Sequence, residues 1–186
     1  MDVIGIGEIR ALFAQKGGCQ YSGEPVSQLE HALQCARLAE AAAASAELIT
    51  ACLLHDLGHL TNDLGDTPTL RGMDDRHQFH GGRALKAVFP AAVRDPVLLH
   101  VDAKRYLCAT EPGYWESLSE DSKRSLELQG GKFNSEEAAK FSVRPYAADA
   151  VKLRRWDDLA KVAGIATPDL GHYLEIASAC ATAAAR

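Results

Sequence analysis

The sequence of 186 residues predicts an all-α protein. Apolar residues recur at three- and four-residue spacing along most of the chain, which is the period of an amphipathic helix. Gly, Pro and N-cap residues separate these segments, and none of them alternates strictly between apolar and polar residues as a half-buried strand does. The length and a hydrophobic content of 47% suit one core, so we expect a single domain over residues 1–186.

Composition excludes several classes of function. The formal net charge is −5 without basic runs, which argues against nucleic-acid binding, because phosphate backbones require clustered Lys and Arg. No apolar stretch approaches the ~18 residues of a membrane span, and residues 1–10 lack the features of a signal peptide, so a cytoplasmic protein is expected. Five Cys without a CxxC pair indicate small buried side chains.

The first third of the chain predicts three helices. The first covers residues 4–16 and ends at a Gly pair. Ser27 and Glu30 have the spacing of a capping box, which predicts the start of a helix over 29–44. The next helix, over 46–60, carries little polar surface and is therefore expected to be central and buried.

The middle of the chain predicts a long loop followed by two helices. Residues 61–76 contain Gly, Pro and four Asp, and loops of this length inside compact domains are commonly functional. A helix is expected over 77–89, where the Gly pair at 81–82 would let another element approach closely. The following helix is expected over 95–109, with Pro96 in its first turn.

The last third predicts further helices. Ser119 is placed to cap a short helix. A long helix over 147–163 is expected to end at Gly164. Thr167 as N-cap and Pro168 as first residue would start the last helix.

His55, Asp56 and His59 form the most distinctive local motif. His55 and Asp56 diverge by about 100° on a helix, yet both can reach a metal ion beside its last turn. His59 lies one turn beyond His55 and faces the same cleft. An isolated His-Asp pair is more often an ordinary capped helix end, so the dipeptide alone is weak support for a metal site.

Further imidazoles and carboxylates strengthen the metal hypothesis. His31, His77 and His100 each belong to a different predicted helix, and Asp157 and Asp158 follow later in the chain. A lone His in apolar surroundings is usually a core residue. Several imidazoles and carboxylates on successive helices are different, because buried polar and charged groups need a partner such as a metal ion. Imidazole and carboxylate without thiolate suit iron, manganese or zinc.

This ordered set resembles the HD-domain superfamily, whose name comes from the His-Asp pair. The resemblance covers nearly the whole chain, implies an all-helical HD-domain bundle, and matches the branch that binds two metals. It implies Asp56 as a bridge between the metals, with Asp158 as the alternative to Asp157 for the last ligand. The implied ligands are His31, His55, Asp56 and Asp157 for the first metal and Asp56, His77 and His100 for the second.

Three segments resemble one group within this superfamily. They are residues 20–24 (QYSGE) followed by 27–31 (SQLEH), 53–59 (LLHDLGH) and 100–108 (HVDAKRYLC). They are similar to the mixed-valent di-iron oxygenases that cleave carbon–phosphorus bonds, the PhnZ and TmpB group, which are relatives of myo-inositol oxygenase. The resemblance implies an Fe(II)/Fe(III) pair as cofactor and O2 as co-substrate.

Two basic residues share a helix register with proposed ligands. Lys104 lies one turn after His100, so its ammonium can reach an anion at the second metal. Arg154 lies one turn before Asp157 and can present a planar fork to phosphonate oxygens. The alternative is that both are ordinary surface charges.

The resemblance implies four more site residues. Tyr21 and Glu24 would form a lid, in which the Tyr occupies an iron position until substrate enters and the Glu faces the amino end of the substrate. His59 would have a catalytic and substrate-binding role beside them, and Ser122 would contact the phosphonate. Without the resemblance, the segment with Tyr21 and Glu24 is typical of a solvent-exposed loop.

The implied reaction is oxidative cleavage of a 1-hydroxy-2-aminoethylphosphonate. We favour (R)-1-hydroxy-2-(trimethylammonio)ethylphosphonate, which would give glycine betaine and phosphate, whereas the unmethylated substrate would give glycine and phosphate. Aromatic faces could hold the quaternary ammonium; the candidates are Tyr21, Tyr106, Tyr114 and Trp115. The alternatives are a metal-dependent HD phosphohydrolase of a nucleotide or phosphomonoester and an inert HD module that senses a phosphorylated ligand. The sequence predicts no oligomeric state.

Overall fold

The computed structural model describes residues 4–21, 23–61, 64 and 68–182. This part of the chain is helical, with one isolated antiparallel bridge between Gln20 and Ser27 and no strand, so the all-α prediction is confirmed. None of its helices is long and apolar enough to cross a membrane. The helices are α1 (Ile6–Lys16), α2 (Gln28–Ala41), α3 (Ala46–Leu54), α4 (Leu57–Leu60), α5 (His77–Leu85), α6 (Ala91–Thr110), α7 (Tyr114–Ser117), α8 (Glu120–Leu128), α9 (Ser135–Ser142), α10 (Ala147–Leu159) and α11 (Leu170–Cys180).

Helix α3 is the centre of the main core. Its residues from Leu48 to Leu54 are all buried, and it packs against α2, α6, α10 and α11. Two smaller apolar clusters extend this core. One joins α6, α9 and α10 around Phe141, and the other joins α6, α7 and α8 around Leu126. The central position of α3 confirms what its apolar sequence predicts.

The capping box at the start of α2 is also confirmed. The backbone N–H of Ser27 donates to Glu30 Oε2 at 2.7 Å, and the backbone N–H of Glu30 donates to Ser27 Oγ at 3.2 Å. The close approach predicted at 81–82 occurs as well. A Cβ built on Gly82 would lie 2.3 Å from Leu98 Cδ2 of α6, so a larger residue at this position would require the Leu98 side chain to move.

The prediction of a single helix over 46–60 is wrong, because the helix is interrupted at His55 and Asp56. Helix α3 ends at Leu54, Asp56 adopts φ −101° and ψ 13°, and α4 begins at the next residue. After the break, α4 packs on the start of α5, where a Cβ on Gly58 would lie 2.0 Å from the carbonyl oxygen of His77. Because apolar residues continue on both sides of the break, the hydrophobic periodicity of the sequence does not show it.

Other predicted boundaries also differ, and α2 and α5 end earlier than predicted, at Ala41 and Leu85. Helix α6 begins at Ala91, so Pro96 lies inside the helix and not in its first turn. Helix α10 ends at Leu159 and not at 163, and the carbonyl of Ala160 then accepts a hydrogen bond from a distant side chain. The last helix is capped by Asp169, whose carboxylate accepts the backbone N–H of His172, in place of the predicted Thr167.

Parts of three sequence predictions lie outside the described residues. These are residues 62–63 and 65–67 of the predicted Asp-rich loop, Ser22 in the QYSGE segment, and the predicted helical residues 183–185. The described end of the Asp-rich loop contains a 3-10 turn at Pro68–Arg71.

Gly58→Ala is expected to destabilise the protein, because the new Cβ would overlap backbone atoms of His77 and force α4 and α5 apart. Overpacking of this kind lowers the free energy of unfolding by about 1–3 kcal/mol, which urea denaturation would measure. The matched control is Gly7→Ala, since no neighbouring atom of the described residues, apart from the local helix backbone, lies within 4 Å of a Cβ there. Gly7→Ala should leave stability unchanged or raise it by up to ~1 kcal/mol. Equal effects of the two variants would contradict the close approach at Gly58.

Candidate metal centre

Four buried histidines converge from α2, the end of α3, α5 and α6: His31, His55, His77 and His100. The Nδ1 of each lies close to an oxygen that can only accept a hydrogen bond, so each Nδ1 carries a proton. This leaves Nε2 of each ring as the atom that can bind a metal once any proton on it has been released. His31 Nδ1 lies 2.8 Å from Ala160 O, and His55 Nδ1 lies 2.9 Å from Cys52 O. His77 Nδ1 lies 2.8 Å from Asp75 Oδ1, and His100 Nδ1 lies 2.7 Å from Val97 O.

The four Nε2 atoms form two pairs. His31 Nε2 lies 3.1 Å from His55 Nε2, and His77 Nε2 lies 3.0 Å from His100 Nε2. Two lone pairs at this separation repel unless a cation or a proton lies between them. Two nitrogens that each lie ~2.1 Å from one ion, at right angles, are separated by about 3.0 Å. Each pair therefore fits one metal ion.

Asp56 faces both pairs of imidazoles. Its Oδ2 lies 3.3 Å from His55 Nε2 and 3.7 Å from His31 Nε2. Its Oδ1 lies 3.4 Å from His77 Nε2 and 3.6 Å from His100 Nε2. Both oxygens are buried without a well-aligned hydrogen-bond donor among the described residues. A buried carboxylate with two orphaned oxygens needs cations, so Asp56 fits between two metal ions.

A second carboxylate, Asp157, completes the first pair. Its Oδ1 lies 3.5 Å from His31 Nε2 and has no hydrogen-bond donor in the described structure, while its Oδ2 pairs with Arg154 Nη1 at 2.7 Å. Asp158 lies apart from the imidazoles and instead pairs with Arg154 and with the hydroxyl of Tyr114. The geometry thus favours Asp157 over Asp158 as the carboxylate of this pair.

The buried carboxylates and imidazoles of the cluster shift one another's pKa values. Burial lowers the pKa of His31 to about 4. Burial also acts to lower the pKa of His55, but the charge of Asp56, foremost among its neighbours, raises it to about 10. Burial opposes ionisation of Asp56, yet the surrounding imidazoles hold the pKa of this carboxyl well below its usual range. A proton on His55 thus balances the carboxylates, and a bound metal ion would replace it.

Asp75 is a structural residue of the site that sequence reasoning missed. Its Oδ1 accepts from His77 Nδ1 at 2.8 Å, and its Oδ2 lies 2.5 Å from His59 Nδ1. The rings of His59 and His77 stack with centroids 4.1 Å apart. A carboxylate behind a ligating imidazole fixes its orientation. The only sequence signal was the Asp-rich composition of residues 61–76, which does not identify this Asp.

A cavity opens above the cluster, and Tyr21 and Glu24 lie at its edge. The ring of Tyr21 stacks on His31 with centroids 3.8 Å apart and an angle of 12°. Burial, followed by the charges of Asp56 and Asp157, raises the pKa of Tyr21. Glu24 Oε1 lies 3.3 Å from the Nζ of Lys161, a residue that sequence reasoning did not identify.

The basic side chains of Lys104 and Arg154 also line the cavity. Lys104 is 3% exposed, and its Nζ donates to Ser125 Oγ at 2.8 Å. Burial, followed by the charge of Arg154, lowers the pKa of Lys104 to about 7. The guanidinium of Arg154 forms ion pairs with Asp157 and Asp158, so its charge is already neutralised where it lines the cavity.

The structure brings every sequence-predicted site residue to the cluster or to the cavity above it. Of the aromatic candidates for an ammonium site, only Tyr21 is among the described residues that line the cavity. Tyr106 packs against Phe141, and Trp115 is 44% exposed. The cluster consists of His31, His55, Asp56, His77, His100 and Asp157, and the cavity is also lined by Tyr21, Glu24, His59, Lys104, Ser122 and Arg154.

Comparison with known proteins agrees with this arrangement. The HD domain family matches residues 29–141. The chain is 46% identical over 167 residues to the hydroxymethylphosphonate dioxygenase of Gimesia maris, an alignment that covers 89% of this chain and 83% of that protein. It is 41% identical over 169 residues to the [1-hydroxy-2-(trimethylamino)ethyl]phosphonate dioxygenase (glycine-betaine-forming) of Leisingera caerulea, covering 89% and 84%. The chain therefore belongs to the HD domain family, in the PhnZ-type branch of HD-domain oxygenases.

Proposed function

We propose that this enzyme uses O2 and a bound pair of iron ions to cleave the carbon–phosphorus bond of a 1-hydroxyphosphonate. The observation that carries the proposal is the position of Asp56, whose two oxygens each face one pair of imidazoles beneath a cavity with buried cations. The names of the two relatives support the same chemistry.

The donor set fits iron, because imidazole and carboxylate ligands without thiolate suit this metal. An Fe(II)/Fe(III) pair, when bound, would supply the redox chemistry with O2 and the positive charge that attracts substrate oxygens. Asp56 would bridge the two ions. The remaining ligands would be His31, His55 and Asp157 for the first ion and His77 and His100 for the second.

The phosphonate is proposed to bind on the Lys104 side of the cavity. Lys104 donates to a neutral hydroxyl, and no carboxylate of the described residues lies within ion-pair distance of its Nζ, so a phosphonate oxygen can take its hydrogen bond. Arg154 adds positive charge while its ion pair holds Asp157 in place. His59 and Ser122 also line the cavity and would complete the phosphonate contacts.

The proposed reaction balances with one O2 for each substrate. The C1–H and C–P bonds break, C1 becomes a carboxylate, and both atoms of O2 enter the products, one in the carboxylate and one in phosphate. The substituent on C1 would face Tyr21 and Glu24, which we propose form the lid. The sequence resemblance favours a trimethylammonio group there, and the relative from Leisingera caerulea has this substrate in its name. The relative from Gimesia maris is named for the substrate that carries only hydrogen at this position.

Turnover should require oxygen. Protein loaded with iron under argon and then supplied with air and a 1-hydroxyphosphonate should consume one O2 for each phosphate released. An oxygen electrode and a phosphate assay on the same sample would measure this ratio. Phosphate release that continues without O2 would indicate the phosphohydrolase instead, and binding without turnover would indicate a sensor module.

Asp56→Ala is expected to abolish binding of both metal ions, because each oxygen of Asp56 faces one ion site. His100→Ala should retain the first ion and lose most of the second. Metal content after gel filtration would measure both, with Asp149→Ala on the surface of α10 as the control that keeps two ions. Equal metal content in Asp56→Ala and His100→Ala would refute the bridging position.

Lys104→Met is expected to raise KM for the phosphonate about tenfold or more, since one charge-assisted hydrogen bond contributes ~1.5–3 kcal/mol and 1.4 kcal/mol is a factor of ten. Its iron content should stay at the wild-type level. The matched control is Lys152→Met, because the side chain of Lys152 is 57% exposed. Unchanged steady-state kinetics in Lys104→Met would exclude this residue from the phosphonate site.

A further inference from the structure

We propose that Lys161 determines substrate specificity by occupying the position that a cationic substituent would need. The cavity then prefers 1-hydroxyphosphonates whose C1 substituent is small and uncharged, with hydroxymethylphosphonate as the simplest example. This preference differs from the trimethylammonio substituent that the sequence resemblance favours. This inference rests on the proposed function, because it concerns the C1 substituent of the same substrate.

The ammonium of Lys161 is fixed in place by several partners. Its Nζ lies 3.3 Å from Glu24 Oε1, and it donates to Ser122 Oγ at 3.3 Å and to Ser119 Oγ at 3.4 Å. The same Nζ lies 5.9 Å from the centroid of the Tyr21 ring. Only 13% of the side chain of Lys161 is exposed. One carboxylate, two hydroxyls and an aromatic face therefore surround this cation.

These partners are the ones that an ammonium substrate would use. Primary and quaternary ammonium groups bind to aromatic faces backed by a carboxylate. Tyr21 is the aromatic ring among the described lining residues, and Glu24 is the carboxylate on the same segment. The ammonium of Lys161 already occupies the space that both of them face.

The other carboxylates that line the cavity outside the metal cluster have different partners. Asp75 contacts the two imidazoles His59 and His77. Asp121 accepts from Arg124 and from the hydroxyl of Thr69. Asp74 accepts the backbone N–H of a residue on its own turn. The ion pair between Lys161 and Glu24 thus marks the most favourable ammonium position in the described cavity.

Electrostatics then separates the two classes of substrate. A cationic C1 substituent at this position would meet the like charge of Lys161 and would have to displace it from Glu24. A hydrogen atom or a small apolar group leaves the ion pair intact. Lys161 also contacts Ser122, a proposed phosphonate contact. Its charge therefore attracts the phosphonate of every substrate and opposes only a cationic C1 substituent.

The test compares hydroxymethylphosphonate with (R)-1-hydroxy-2-aminoethylphosphonate and its trimethylated form. Calorimetric Kd values are measured anaerobically on iron-loaded protein, and kcat/KM values are measured in air. Wild type should favour hydroxymethylphosphonate at least tenfold in both measurements. Lys161→Met should shift both ratios at least tenfold toward the ammonium substrates, because it leaves Glu24 free to receive them.

Two further variants make the test specific. In Lys161→Met with Glu24→Gln, the shift should disappear, because the carboxylate that receives the ammonium has been removed. Lys152→Met, which removes an exposed ammonium, should keep the wild-type ratios.

Several results would overturn the role of Lys161. These are a wild-type preference for an ammonium substrate, an equal loss for all phosphonates in Lys161→Met, and a shift that persists in the double variant. Failure of the proposed function is distinguishable, because the protein would then cleave none of the three compounds. The anaerobic Kd ratios would still decide the inference in that case.

Discussion

The structure depends on the buried carboxylate of Asp56. Its two oxygens face four imidazole nitrogens that come from four different segments of the chain. A buried anion without hydrogen-bond donors is costly, so this arrangement is stable only with positive charge between the carboxylate and the rings. The raised pKa of His55 reflects the same requirement for positive charge, and metal ions would supply that charge in the proposed enzyme.

The helices around Asp56 are shaped by this requirement. The break between α3 and α4 places His55 and Asp56 beside each other outside regular helix, and Gly58 then allows the backbone of α5 to come close enough for His77 to reach the cluster. The early end of α10 has a similar effect, because it frees the carbonyl of Ala160 to orient His31. The helices are thus interrupted at the points where the backbone orients the proposed metal ligands.

The cationic side chains that line the cavity differ from one another in their partners. Lys104, Arg154 and Lys161 line it. Arg154 and Lys161 are paired with carboxylates, whereas the ammonium of Lys104 donates to the hydroxyl of Ser125 and has no carboxylate of the described residues within ion-pair distance. This asymmetry suits an anion at the Lys104 end, where a hydrogen bond can be exchanged. It suits an uncharged group beside Glu24, because Lys161 already neutralises this carboxylate.

The sequence by itself determined the all-α fold, the capping box of α2 and the residue types of the metal cluster, because periodicity, capping and donor chemistry are local properties. It also placed Lys104 in register with His100. Only the tertiary structure decided the break at Asp56, the support of His77 by Asp75 and the pairing of Lys161 with Glu24. The break and the pairing depend on contacts between segments distant in sequence, and the packing that creates such contacts leaves no periodic pattern in either segment. Asp75 is only two residues from His77, but composition does not show which Asp of the loop turns toward the ring.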